Sequence, residues 1–133
     1  MDNELRPGIR GLTETVVDGS NTAKFAGSGE LEVFATPNMI ALMEQAAQAS
    51  VAPYLKDGQG TVGTLISVSH DAATPVGMRV RAESVLTAVD RRRLCFEVSA
   101  YDECGLIGRG THERFIIDNE KFLAKVNAKG TAK

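Results

Sequence analysis

The sequence predicts an α+β domain in which a curled antiparallel sheet wraps around one long central helix. Three observations lead there. Residues 36–52 place apolar side chains at helical spacing behind a Thr-Pro start. Residues 62–117 alternate apolar and polar with period two. The breaks between those alternating runs are short and rich in turn residues, so sequential strands pair as a meander. At 133 residues the chain is expected to be a single domain spanning 1–133, large enough for a core without staples. Residues 1–7 and 127–133 read as loose ends.

The first strand lies within Gly8–Asp18, where Ile9, Leu12, Val16 and Val17 are spaced by threonines. Asp18–Gly29 reads as a loop, long enough to suggest a functional role. Leu31–Phe34 reads as a short strand or a helical turn. The helix starts at Thr36-Pro37, with Thr36 as N-cap, and stops near Pro53. Met39, Ile40, Met43, Ala47 and Val51 form its apolar stripe. After a turn at Lys56–Gly60, Val62, Ile66, Val68 and His70 fall on one strand face, and Gly63, Leu65, Ser67 and Ser69 on the other. Asp71–Pro75 is a loop. Met78–Val89 and Arg93–Tyr101 are strands joined by a turn at Asp90–Arg92. A turn at Asp102–Gly105 leads into the last strand, Leu106–Ile117, and Asn119–Val126 reads as a short helical turn. This order is the hot-dog arrangement. A lone copy leaves a sheet edge unpaired, so a homodimer at least is expected.

Composition narrows the function. Lys plus Arg is 15 against 17 Asp plus Glu, a net charge of -2, which argues against nucleic acid. Aromatics are 5% and Trp is absent, which argues against a base-stacking platform. No apolar run approaches the ~18 residues of a membrane span. MDNELRPGIR carries no basic-then-apolar leader pattern, so the expected location is the cytoplasm. Cys95 and Cys104 form no CxxC pair and are expected to stay reduced and unpaired. With only His70 and His112 beside them, no zinc site is expected.

Four positions invite a chemical reading. Glu44 borders the helix's apolar stripe, where partial desolvation would raise its basicity; it could equally reach solvent or pair with an Arg. His70 shares a face with core residues yet ends its strand before the polar loop DAATP. It is either a satisfied core histidine or a proton shuttle at a cleft mouth. Thr36 is explained by capping, although its hydroxyl could meet a ligand. Gly63 marks a bulge or a close strand–helix contact, or else leaves backbone N–H open to a carbonyl. His112, in GTHER between glycines and the strand end, reads as structural, with Gly108 and Gly110 allowing close backbone approach. Arg91, Arg92 and Arg93 read as a solvated hairpin tip rather than a phosphate patch.

Three long stretches carry a resemblance: VFATPNMIALMEQAAQASVAPYL, TVGTLISVSHDAATPVGMRVRAE and DRRRLCFEVSAYDECGLIGRGTHERFIID. Together they resemble the fluoroacetyl-CoA thioesterase type of hot-dog thioesterase, with likeness from about Val33 to Lys125. The resemblance implies a catalytic set of Thr36, Glu44 and His70, with the backbone of Gly63 near the substrate carbonyl. It implies hydrolysis of a short or small acyl-CoA thioester to free acid and CoA, without metal or redox cofactor. It also implies a homodimer whose sites lie at the subunit interface. The fluoroacetyl enzyme carries phenylalanines in a lid just before VFAT; here FAGSGELEVF places Gly27 and Glu30 there. That departure points away from fluoroacetyl-CoA as substrate. The rival readings are an acyl-CoA hydratase on the same fold and a non-catalytic acyl-CoA-binding dimer. Hydratases of this fold typically use an Asp–His pair, and here Asp71 merely follows His70 at a strand end.

Overall fold

The computed structural model describes residues 4–131. Five strands form one antiparallel sheet: β1 (Arg10–Val16), β2 (Gln59–His70), β3 (Arg79–Asp90), β4 (Arg93–Asp102) and β5 (Gly105–Asp118). Their order across the sheet is β1-β3-β4-β5-β2, so β1 and β2 are the edges. Three helices accompany them: α1 (Ala23–Ala26), α2 (Thr36–Val51) and α3 (Asn119–Thr131). No helix among the described residues is long and apolar enough to cross a membrane.

The central helix α2 lies against the sheet. Met39, Leu42, Met43, Ala46, Ala47 and Val51 are buried along it. They pack on Leu86, Leu94, Phe96, Val98 and Ala100 of β3 and β4, and on Phe34 before the helix. Small Ala46 and Ala47 let β1 approach closely, and the Thr13 hydroxyl donates to the Leu42 carbonyl at 2.9 Å. A 3-10 turn at Ala52–Tyr54 ends the helix where Pro53 was expected to stop it. The hairpin between β4 and β5 is fixed by Asp102, whose Oδ1 accepts from Cys104 N at 2.8 Å and Gly105 N at 3.2 Å. Its Oδ2 accepts from the buried Thr74 hydroxyl at 2.7 Å. Gly110 is required by β2: a side chain there would run into the Ser67 carbonyl. Cys95 pairs with Glu113, one register step from His112, and both cysteines are free thiols.

Several sequence expectations shift. The loop Asp18–Gly29 contains α1, capped by the Thr22 hydroxyl at Phe25 N and closed by Gly27 at φ 77. Such a helix is a single turn, too short for a periodic apolar signal. Leu31–Phe34 is extended at its end, with Val33 bridged to Pro75 and Phe34 to Thr22. The helical turn expected at Asn119–Val126 continues as α3 to Thr131. The loose-end reading of residues 1–3 and 132–133 lies outside the described residues. The largest correction concerns β2. Its ladder with β5 shifts register between Gly63 and Leu65, leaving Thr64 as an extra residue. The bulge inverts side-chain parity, so Gly63 faces α2 together with Ile66, Val68 and His70.

Candidate active site

Thr36 and His70 meet where α2 begins and β2 ends. Thr36 Oγ1 lies 2.7 Å from His70 Nδ1. Thr36 is therefore not the helix cap: Ala35 holds that position, with no side-chain cap bond, and Thr36-Pro37 are the first two helical residues. The capping expectation fails because Thr36 is already helical and its hydroxyl meets His70 Nδ1 instead of accepting from a backbone N–H of its own helix. Burial lowers the His70 pKa below its ordinary 6.5, against the opposing effects of the Asp71 charge and the Ala72 backbone. The ring is thus held neutral. Its Nε2 is buried and has no hydrogen-bond partner among the described residues. A buried polar atom without a partner is costly, and one beside a cleft is a natural ligand contact. That cleft, of about 340 Å³, is lined by Thr36, His70, Asp71 and the α1 residue Ala23. Asp71 itself accepts from the Ser69 hydroxyl at 2.8 Å.

Glu44 is half-buried, two turns further along α2, a rise of roughly 12 Å from Thr36. It lines a separate cleft of about 450 Å³ with Asn38, Gln45, Gln48 and Arg114. The bulge in β2 turns Gly63 toward it. A methyl group on Gly63 would lie 3.2 Å from His112 Cε1, 3.4 Å from Arg114 Nη1 and 3.6 Å from Glu44 Oε2. Bare backbone thus faces a carboxylate, a guanidinium and an imidazole at one point.

Arg114 is 8% exposed and held at all three of its nitrogens. Its Nε donates to Thr61 Oγ1 at 2.8 Å, and its Nη2 to the Thr61 carbonyl at 3.0 Å. Its Nη1 lies 3.2 Å from His112 Nε2. Burial lowers the guanidinium pKa and the Glu44 charge opposes this; arginine remains a cation in any case. His112 is 1% exposed and stacks on Phe96 of β4, ring centroids 6.0 Å apart. Its Nδ1 sits 2.8 Å from the Leu65 carbonyl. Burial first, then the Arg114 charge, lowers its pKa; the Leu65 bond, Glu44 and Glu113 act the other way. Metal-binding groups of His, Cys, Asp and Glu are absent among the described residues.

One chain therefore sorts the four expected residues into two pairs: Thr36 with His70, and Glu44 with Gly63. Arg114, and the contact of His112 with it, are absent from the sequence reading. The available signal was parity: both alternate with Ile116 on the inward face of β5, and an arginine on an inward face needs a reason. The Arg91–Arg93 tip is solvated as expected, with Arg92 and Arg93 tied to Asp118, Asp90 and Glu113.

Comparison with known proteins identifies the family. Residues 17–120 match the family model for fluoroacetyl-CoA-specific thioesterases. A fluoroacetyl-CoA thioesterase of Streptantibioticus cattleyicolor is 52% identical, over 99% of each chain. A solved fluoroacetyl-CoA thioesterase structure superimposes with a TM-score of 0.88 at 44% identity, covering 94% of this chain and 97% of that one. A thioesterase superfamily member from Thermus thermophilus gives a TM-score of 0.87 at 31% identity, covering 95% and 93%. The chain has the hot-dog fold and belongs to the family of fluoroacetyl-CoA-specific thioesterases, hydrolases of acyl-CoA thioesters.

Proposed function

We propose that this acyl-CoA thioesterase cleaves a small acyl-CoA at a site assembled from two copies of the chain. The observation that carries the reading is the separation of Thr36–His70 from Glu44–Gly63 within one chain, with both pairs on the same face of an edge strand. An antiparallel pairing of β2 with β2 of a second copy, centred on Ser67 with Thr64 bulged out of each ladder, sets Gly63 of one beside His70 of the other. Directly opposed residues in such a pair lie about 5 Å apart and point to the same face. The dimer that closes the open edge also completes the site.

In the assembled site the thioester carbonyl lies over Gly63, within reach of the start of α2. Glu44 attacks the carbonyl carbon, breaking the C–S bond to expel CoA thiolate and leave a mixed anhydride that water hydrolyses to the free acid and Glu44; alternatively it deprotonates a water that attacks the carbonyl directly. His70, held neutral by burial and oriented by Thr36, moves the proton between the attacking water and the departing CoA thiolate. The Arg114 cation sits beside the charge that develops on oxygen. Gly27 and Glu30 leave the lid without the aromatic pair, which favours a small unsubstituted acyl group over fluoroacetyl. The cytoplasm is the expected site of action.

Release of free thiol from a panel of short acyl-CoAs tests the reading. Catalytic release, no faster with fluoroacetyl-CoA than with acetyl-CoA, is expected. Binding without release would leave an acyl-CoA-binding dimer; water addition to an enoyl-CoA with the thioester intact would leave a hydratase.

A further inference from the structure

The two nitrogens of His112 have partners that leave no choice of tautomer. The Leu65 carbonyl can only accept, so Nδ1 carries the proton. The Arg114 guanidinium can only donate, so Nε2 presents a lone pair. The imidazole is therefore neutral, and its plane is held by the Phe96 ring. Leu65 is the residue at which the β2 ladder resumes after the bulge. His112 thus links the backbone that shapes the bulge to the cation that faces it.

This contact gives Arg114 a third anchor, at Nη1. Its Nε and Nη2 are spent on Thr61, which alone would leave Nη1 anchored only through the plane of the guanidinium. Nη1 carries two hydrogens. One goes to His112, and Nη1 itself lies 3.4 Å from the point a Gly63 Cβ would occupy, a point 3.6 Å from Glu44 Oε2. We propose that His112 is a positioning residue for the thioesterase site, acting through Arg114: its Nε2 lone pair fixes the Nη1 hydrogen that meets substrate or Glu44 above the bare Gly63 backbone. The inference rests on the functional reading above. It gives His112 a role beyond the structural one that its buried place on β5 suggests.

The competing account is that His112 only anchors the bulge through Leu65. Two substitutions separate the accounts because each keeps one nitrogen's contact. His112→Gln can extend an amide oxygen to the Nε2 position and still accept from Arg114. His112→Asn can donate near the Nδ1 position to Leu65 but falls short of Arg114. Steady-state hydrolysis of the best acyl-CoA, with melting temperature alongside, reads the difference. A hydrogen bond to a charged group that acts in the transition state gives about a 10-fold or larger fall in kcat for His112→Asn, with KM little changed. His112→Gln is expected to stay within about 3-fold of the unmutated enzyme on the same grounds. In an Arg114→Lys background, His112→Asn should cost little more, because contacting residues couple non-additively. Equal activity of the two variants, or the reverse order, overturns the proposal.

The intact protein supplies a second measurement that no folding defect can obscure. Nitrogen-15 NMR of the imidazoles should show His112 Nδ1 protonated and Nε2 bare, with Nε2 shifting in Arg114→Lys. A protonated Nε2 overturns the proposal directly. Normal turnover with indistinguishable variants defeats this inference alone; absence of thiol release by the unmutated protein defeats the functional reading and this inference with it.

Discussion

Thr36 Oγ1 lies 2.7 Å from His70 Nδ1, so the first residue of α2 serves the last residue of β2 instead of capping its own helix. The consequence for mutation is specific. Thr36→Ala removes no cap bond and should cost less than the ~1 kcal/mol of a lost N-cap. Turnover should nonetheless fall about 10-fold or more, because His70 loses the partner that orients it. Thr36→Ser keeps the hydroxyl and should retain most activity. Thermal denaturation beside steady-state kinetics checks both parts. A large drop in melting temperature with normal kcat would restore the capping role.

Acid sensitivity follows from the two histidines. Both His70 and His112 have pKa values lowered by burial. A histidine depressed in the folded state binds its proton more readily when unfolded, so acid favours unfolding. The stability tied to the neutral rings is fully present above the unfolded value of about 6.5 and is lost as pH falls through the folded values. Turnover that depends on neutral His70 should likewise hold at pH 6.5 and decline only below it. Melting temperature and kcat measured from pH 8 to pH 5 would show this. An acid limb in kcat centred above 6.5, or a melting temperature that rises on acidification, contradicts the assignment.

Gly63 offers a probe of the other half of the site. A methyl group there meets His112 Cε1 at 3.2 Å, tighter than ordinary contact, and under the proposed function it would stand in the way of the thioester carbonyl. Gly63→Ala should therefore lower kcat/KM by about 10-fold or more, while changing stability by about 1 kcal/mol or less at this exposed position. Unaltered kcat/KM in a folded variant would remove Gly63 from the site.

The helix and meander were legible because their signals are periodic. Met39, Met43, Ala47 and Val51 announce α2, and the alternation around Met78–Ala100 announces β3 and β4. The bulge was legible only as one reading of Gly63, and its effect on the parity of β2 was not. One extra residue reverses which side chains face the core, and nothing in TVGTL marks it except the glycine. The Thr36–His70 contact was hidden for a related reason: a threonine before a proline has a sufficient local explanation as a cap, and only the tertiary position of His70 offers the alternative. Arg114 was overlooked because an isolated arginine on a strand ordinarily points to water. Its burial follows from the parity of β5, which the buried Ile116 and His112 on either side fix.

Assembly is the remaining structural expectation. Light scattering at micromolar concentration should return about twice the 14.2 kDa of one chain. A charge on the edge strand, as in Leu65→Lys where the leucine is 47% exposed, should weaken that dimer and reduce activity in parallel. Full activity of a purely monomeric variant would show that one chain suffices.

The most direct test of the shared site is complementation between two inactive variants. Glu44→Gln and His70→Ala homodimers should each lose at least about 10²-fold in turnover. After subunit exchange, the mixed dimer joins the intact Glu44 of one copy to the intact Thr36 and His70 of the other at one of its two sites. A 1:1 mixture should then recover about one quarter of the unmutated activity, from half the dimers carrying one live site each. Thiol release from the best acyl-CoA, followed before and after exchange, is the measurement. Recovery toward that level is the predicted result; a mixture that exchanges subunits yet stays as inactive as its parents would contradict a site built from two chains.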